Sequence, residues 1–227
     1  YNKAVSTDKI SYFGGVVAFN NEVDLRESKK ISVVFLECII APSFSKEALD
    51  VLKTKPNLRL IELKKNDLIN NSNSMIIKSV FNGFLYQNKD YFINKVEDCS
   101  IATIKKPSKD DYRAISIGWK IVRFVKSNAI VISNKEKILG IGSGQMSRVD
   151  SVKIAIRKSK ENNLNLDGSI MASDAFFPFP DSIELAAKEG IKGIIQPGGS
   201  IKDKEIIRAA NELNLFMILT GERHFLH

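Results

Sequence analysis

From residue 170 onward, strand and helix signals alternate most cleanly: after the stiff, Pro-bearing loop "SDAFFPFPDS" come "SIELAAKE", "GIIQP", "KDKEIIRAANEL" and "FMILTG". Runs of four to eight apolar residues broken by turn signals read as buried strands, and the intervening segments carry apolar residues at helical spacing. Such alternation demands a sheet with helices packed on it, an α/β class. One interruption breaks the pattern: "AIVIS" and "KILGIG" flank the turn-like "NKEK", which predicts a hairpin and hence a mixed sheet.

The rest of the chain is read in the same way. "FGGVVAFN" (13–20) and "ISVVFLECIIAP" (31–42) are expected as buried strands, the second stopped by Pro42. "SKEALDVLKTK" is expected as a helix, "LRLIEL" (58–63) as a strand, and "SVFNGFLYQNKD" (79–90) as a strand loosened by Gly83. The polar stretch Asn66–Ser74 is the expected boundary, placing one subdomain at 1–72 and a second at 73–227. A helix is predicted from Asp110 to Ser127, opened by Ser108 and Asp111, with Ala114, Ile117, Ile121 and Val125 as its buried stripe. Ser147 and Asp150 offer a second capping box, and Asp181 a cap for "SIELAAKE", which stops at Gly190.

The 227 residues carry a formal charge of +8, which suits phosphates, a polyglutamate tail or nucleic acid. No block of five or six like charges marks a nucleic-acid tail, and no apolar run is long enough to span a membrane. Cys38 and Cys99 lack metal-type spacing and are expected as free thiols of a reducing, cytoplasmic compartment. The start has no signal-peptide core and no initiator Met, so the chain is expected to be a cut into a longer protein.

Three Gly- or Pro-bearing loops follow apparent strand ends: "GIGSGQMSR", "SDAFFPFPD" and "QPGGSIKD". Ligands of open α/β sheets sit where such loops converge. In the last, Ser200 stands at a helix start whose free N–H groups favour anions; a tight turn with an N-cap serine is the alternative. "GSGQMSR" lacks the spacing of a dinucleotide loop, and Arg148 reads as a fork for a carboxylate or phosphate, or as a solvated arginine. Asn128 reads as a helix C-cap or as an amide orienting an amine or carboxamide. His224 and His227 could pair on a metal, but no further ligands are evident and the zinc-deaminase signature is absent.

Taken in order, "FGGVVAFNNEVD", "ECIIAPSFSKEAL", "NLRLIEL", "VKSNAIV", "GIGSGQMSRVDS", "SDAFFPFPDSIELAAKEGIKGIIQPGGSI" and "TGERHFLH" resemble the transformylase domain of the bifunctional purine-biosynthesis enzyme. The resemblance covers nearly the whole chain. It implies transfer of a formyl group from 10-formyltetrahydrofolate to aminoimidazole carboxamide ribonucleotide (AICAR), on two zinc-free cytidine-deaminase-like α/β/α subdomains. It further implies a homodimer with sites at the subunit interface, and no membrane or nucleic-acid partner. By motif, Phe13, Gly14 and Glu37 would approach the nucleotide, Asn128 the reacting amine, and Arg223 the phosphate. Arg148, Val149, Phe176, Pro178, Asp181, Ser200 and Ile201 would contact the folate, and His227 would close the site. The family's catalytic Lys-His pair has no counterpart in the chain, and Arg123-Phe124 stands where many relatives carry Lys-His. The chain alone is therefore expected to turn over little or nothing. A non-catalytic folate or nucleotide module and a basic nucleic-acid-binding domain are the competing readings.

Overall fold

The computed structural model describes residues 1–64, 75–90 and 95–226. In chain order the first elements are α1 (Asn2–Val5), β1 (Val16–Ala18), α2 (Leu25–Ile31), β2 (Cys38–Ala41), α3 (Lys46–Leu52), β3 (Arg59–Glu62), β4 (Met75–Val80) and β5 (Gly83–Asn88). There follow β6 (Ser100–Ile101), α4 (Lys109–Val122), β7 (Ile130–Ser133), β8 (Ile138–Gly142) and α5 (Arg148–Glu161). The last are β9 (Ile170–Ser173), α6 (Asp181–Lys188), β10 (Gly193–Gln196), α7 (Asp203–Glu212) and β11 (Phe216–Leu219). The fold is mixed α/β, with parallel and antiparallel pairing.

Two compact units share these elements. The first holds Tyr1 and the described residues between Asp8 and Asp90; the second holds Asn2–Thr7 and the described residues from Lys95 onward. The division falls after the β4–β5 hairpin, whereas the expected subdomain boundary precedes it. Asn66–Ser74 lies outside the described residues.

In the first unit β1, β2 and β3 form a parallel sheet in that order. Val23, Ile31, Leu36, Ile39, Ala41, Ala48 and Leu52 make its core. The strand expected over 31–42 is only its last part. Asp24 accepts the N–H groups of Arg26 (2.7 Å) and Glu27 (3.0 Å), which caps a helix ending at Ile31. Val33 and Phe35 of the linking turn are exposed, and pairing begins at Cys38. β1 is also shorter than expected and largely exposed. The expected strand over 79–90 is part of a hairpin: β4 pairs antiparallel with β5 through a turn at Phe81-Asn82, Phe81 at φ +46°.

The second unit is built on a six-stranded sheet, ordered β6-β11-β10-β9-β7-β8. Alternate strand residues feed two cores. Ile130, Ile132, Met171, Ile194 and Met217 meet α5, α6 and α7 on one face. Val131, Ile170, Ala172, Ile195, Phe216 and Ile218 meet α4 on the other, around a fully buried Trp119. Removing a ring of that size from water contributes roughly 5 kcal/mol before entropy is counted. α4 ends at Val122, earlier than expected, and its stripe is turned: Ala114, Ile115, Gly118, Trp119 and Val122 are buried while Ile117 and Ile121 are only half-buried. The hairpin predicted at "NKEK" is present as β7–β8. Residues 2–7 lie against it, Thr7 Oγ1 donating to the Ile138 carbonyl at 2.6 Å.

Candidate functional site

β8, β9, β10 and β11 run in one direction and β7 runs against them. The segments after those four strands therefore emerge at one edge of the sheet, where the chain also enters β7 through Asn128 and Ala129. Here lies a cavity of about 460 Å³. Asn128, Arg148, Val149, Phe176, Pro178, Asp181 and Arg223, all expected at a site, line it. Met146, Phe179 and Phe225 join them without having been expected.

The aromatic loop is split between core and cavity. Phe177 is fully buried, its N–H donating to Gln196 Oε1 at 3.0 Å from the end of β10. Phe176, one residue earlier, faces the cavity under the Arg223 guanidinium, 4.9 Å from the ring centroid. Phe179 is 53% exposed and carries the Lys202 ammonium 4.2 Å above its ring. Two cations thus stand over two rings at the rim. Asp181 is exposed and is the first residue of α6 rather than its cap, accepting the N–H of Ser182 at 2.7 Å.

Beneath the cavity sits a polar cluster that sequence reasoning missed. Arg148 is only 7% exposed, and its guanidinium pairs with Asp174 and donates to Ser173 Oγ at 2.9 Å and Asn128 Oδ1 at 2.9 Å. It is not the solvated arginine expected: an internal carboxylate already engages its guanidinium, and the residue also lines the cavity. The other oxygen of Asp174 accepts from Ser127 Oγ at 2.5 Å, and its main-chain carbonyl accepts from the His224 N–H at 3.0 Å. Asn128 is not a helix C-cap: it is a tethered amide at the head of β7, bonded to Gln145 and Met146. The only advance signal for Asp174 was a carboxylate directly after a wholly apolar strand, a place that needs a cationic partner.

The glycine loop differs similarly from expectation. Gly198 (φ +72°) and Gly199 (φ +89°) make the turn, and Asp203 accepts the N–H groups of Gly199 (2.7 Å) and Ser200 (3.1 Å). The anion at this helix start is thus the protein's own carboxylate. Ser200 and the fully exposed Ile201 do not line the cavity, although Lys202 beside them reaches Phe179. Phe13, Gly14 and Glu37 belong to the first unit. There Phe13 packs on Phe35 with centroids 5.5 Å apart, Gly14 donates to the Phe35 carbonyl at 2.9 Å, and Glu37 pairs with Arg59 at 2.8 Å. His224 is buried against Trp119, 4.5 Å between centroids, and His227 lies outside the described residues.

The electrostatics narrow the chemistry. Burial, then the carboxylates of Glu222, Asp98 and Glu97, push the Cys99 thiol up, which makes it a poor nucleophile. Ser147, then Lys153, hold the Asp150 carboxyl below its ordinary range at the first turn of α5. Among the described residues no group of three or more His, Cys, Asp or Glu could hold a metal, and no helix is long and apolar enough to cross a membrane. The cavity's own lining offers an amide, flat apolar walls, a carboxylate and cations.

Known proteins match the chain over its whole length. Bifunctional purine biosynthesis protein PurH of Prochlorococcus marinus subsp. pastoris is 48% identical over 224 residues, 99% of this chain and 43% of that protein. Its namesakes in Halalkalibacterium halodurans (46% identical, 100% of this chain, 43% of theirs) and Persephonella marina (45%, 100% and 44%) are similar. The chain thus spans about 43% of the length of such relatives. Among solved structures, a dCMP deaminase from cyanophage S-TIM5 aligns at a TM-score of 0.34 and 15% identity, over 50% of this chain and 98% of its own, a likeness that carries no argument. Residues 1–158 match the family described as AICARFT/IMPCHase bienzyme. The chain belongs to that family.

Proposed function

We propose that this chain forms the folate- and nucleotide-binding portion of a formyltransferase that moves a formyl group from 10-formyltetrahydrofolate to the 5-amino group of AICAR, on the way to inosine monophosphate. The observation that carries the reading is the convergence of Asn128, Arg148, Val149, Phe176, Pro178, Asp181 and Arg223, from four stretches of chain, on one cavity. The AICAR amine is a poor nucleophile because it is conjugated with ring and carboxamide. Transfer therefore needs an oriented amine, a route for its proton, charge stabilisation at the attacked carbon and protonation of the departing nitrogen.

Asn128 supplies the orientation. Phe176 offers a flat wall to a heterocycle, Asp181 an acceptor for its N–H groups, and Arg223 a cation for phosphate. Ser200 and Ile201 are assigned to the folate's outer edge, and Phe13, Gly14 and Glu37 to the nucleotide, on the family resemblance. The same resemblance supports the proposals of deaminase-like subdomains over 1–72 and 73–227, a homodimer with shared sites, and a cytoplasmic setting.

Calorimetric titration with 10-formyltetrahydrofolate and AICAR, beside a formyl-transfer assay, tests the reading. Both ligands are expected to bind, folate affinity should fall about tenfold in Phe176→Ala, and turnover by the chain alone should be slight. Tenfold corresponds to about 1.4 kcal/mol, the upper end of what one aromatic contact contributes. Failure of the wild-type chain to bind either ligand, with salt-dependent RNA binding instead, would overturn it.

A further inference from the structure

The hydrogen-bonding capacity of the Asn128 amide can be followed atom by atom. Its Nδ2 group donates to the carbonyls of Gln145 (2.9 Å) and Met146 (3.2 Å), which uses both amide protons. Its Oδ1 accepts from the Arg148 guanidinium at 2.9 Å, which leaves one lone pair. The flipped amide would set a carbonyl oxygen against two carbonyls and an N–H group against a cation that can only donate. One orientation alone is compatible with these neighbours. The guanidinium has little freedom to relax away, since the buried Asp174 and Ser173 hold it from the far side.

We infer that Arg148 is a positioning residue: it fixes the amide of Asn128 so that this side chain presents the cavity with a hydrogen-bond acceptor and nothing else. The ligand group that meets Asn128 is then a donor, an N–H or O–H. A carbonyl or phosphate oxygen set against Asn128 would find no proton on that amide and would lose its bonds to water. Resting on the formyl-transfer reading, the donor is the 5-amino group of AICAR. An N–H directed at Oδ1 fixes the rotation of the amine about its ring bond and leaves the nitrogen lone pair free for the formyl carbon. Asn128 touches substrate in this scheme, and Arg148 acts only through it.

The test needs no ligand for its first arm. Side-chain amide protons of Asn128, assigned in ¹⁵N-labelled chain by their loss in Asn128→Ser, should exchange with deuterium at least tenfold more slowly than those of the exposed Asn57. Exchange as fast as at Asn57 would overturn the inference. The second arm compares Arg148→Met, which removes the cation, with Arg148→Lys, which restores a donor-only group. AICAR affinity should drop about tenfold in Arg148→Met and largely recover in Arg148→Lys, with amide exchange following the same order. Equal affinity and equal exchange in wild type and Arg148→Met would sink the idea. If Arg148→Met does not fold, wild-type exchange and the lysine variant still decide. A wild-type chain that binds no AICAR but protects the Asn128 amide would defeat the proposed function and leave the positioning role standing.

Discussion

Every residue of β7, β9 and β10 is buried, whereas β1 and β3 leave most of theirs exposed. Both sheets contain parallel strands, a pairing that ordinarily has both faces covered. In the second unit α4 seals one face and α5, α6 and α7 the other. In the first, Ile39, Ala48 and Leu52 fill a core beside α2 and α3, while Val16 and Ile61 remain open to solvent among the described residues. The sheet sealed on both faces is the one whose edge carries the cavity. Rigidity and site coincide there, while the proposed contacts Phe13, Gly14 and Glu37 rest on the thinner frame.

The contrast predicts unequal penalties. Asp174→Ala should be the most damaging, because it strands the buried Arg148 charge: about 3–5 kcal/mol of the second unit's stability. Urea unfolding followed at Trp119, the lone tryptophan of the chain, reads that unit specifically. Gly142→Ala comes next, at about 3 kcal/mol, since its Cβ would collide with the Ser151 carbonyl oxygen. The matching change in the thin frame, Gly14→Ala, has room beside Phe35 and meets only the strain of φ +72°, about 1 kcal/mol. Equal losses at these two glycines would undo the contrast.

An effect of similar size to that at Gly14, but dependent on pH, is expected at Asp111, whose carboxyl accepts from Ser108 and lies 2.6 Å from the Lys192 ammonium. Burial alone would raise it, but Lys192 and Ser108 outweigh that and hold it below the usual carboxylate range. The stabilisation is therefore complete above the unfolded value of about 4 and disappears as pH falls through the lower folded value. Asp111→Asn should cost about 1 kcal/mol at pH 7 and almost nothing at the acid end, seen in urea midpoints against pH. The least change is expected for Arg59→Ala in the thin frame. Its partner Glu37 is half exposed and Arg59 more so, which limits the loss to less than about 0.5 kcal/mol in thermal melts.

What the sequence made legible follows the same divide. Strong periodicity and turn chemistry located β7–β8 and the alternation from β9 to β11, because each strand there is buried on both sides and reads as an unbroken apolar run. The segment 31–37 misled, since Val33, Val34 and Phe35 look like a strand while Asp24 had already committed Ile31 to a helix. The hairpin turn at Phe81-Asn82 is not legible, because Asn-Gly does not occupy its two central positions and Gly83 already belongs to β5. At the site, the loops and most cavity residues were legible. What Arg148 and Asp203 do was not, because their partners Asp174, Gly199 and Ser200 are identified only once the chain has folded.

Neighbouring rings at 176 and 177 point to opposite fates, one wetted by the cavity and one sunk in the interior. The backbone beneath them is pinned, since the Phe177 N–H is held by Gln196. On the proposed reading a guest meets a wall carried on fixed backbone, and the long, rotatable arms of Arg223 and Lys202 over the rings of Phe176 and Phe179 are the groups freest to adjust. In that proposal, selectivity for outline would belong to the floor, and tolerance for differing charged appendages to the lip.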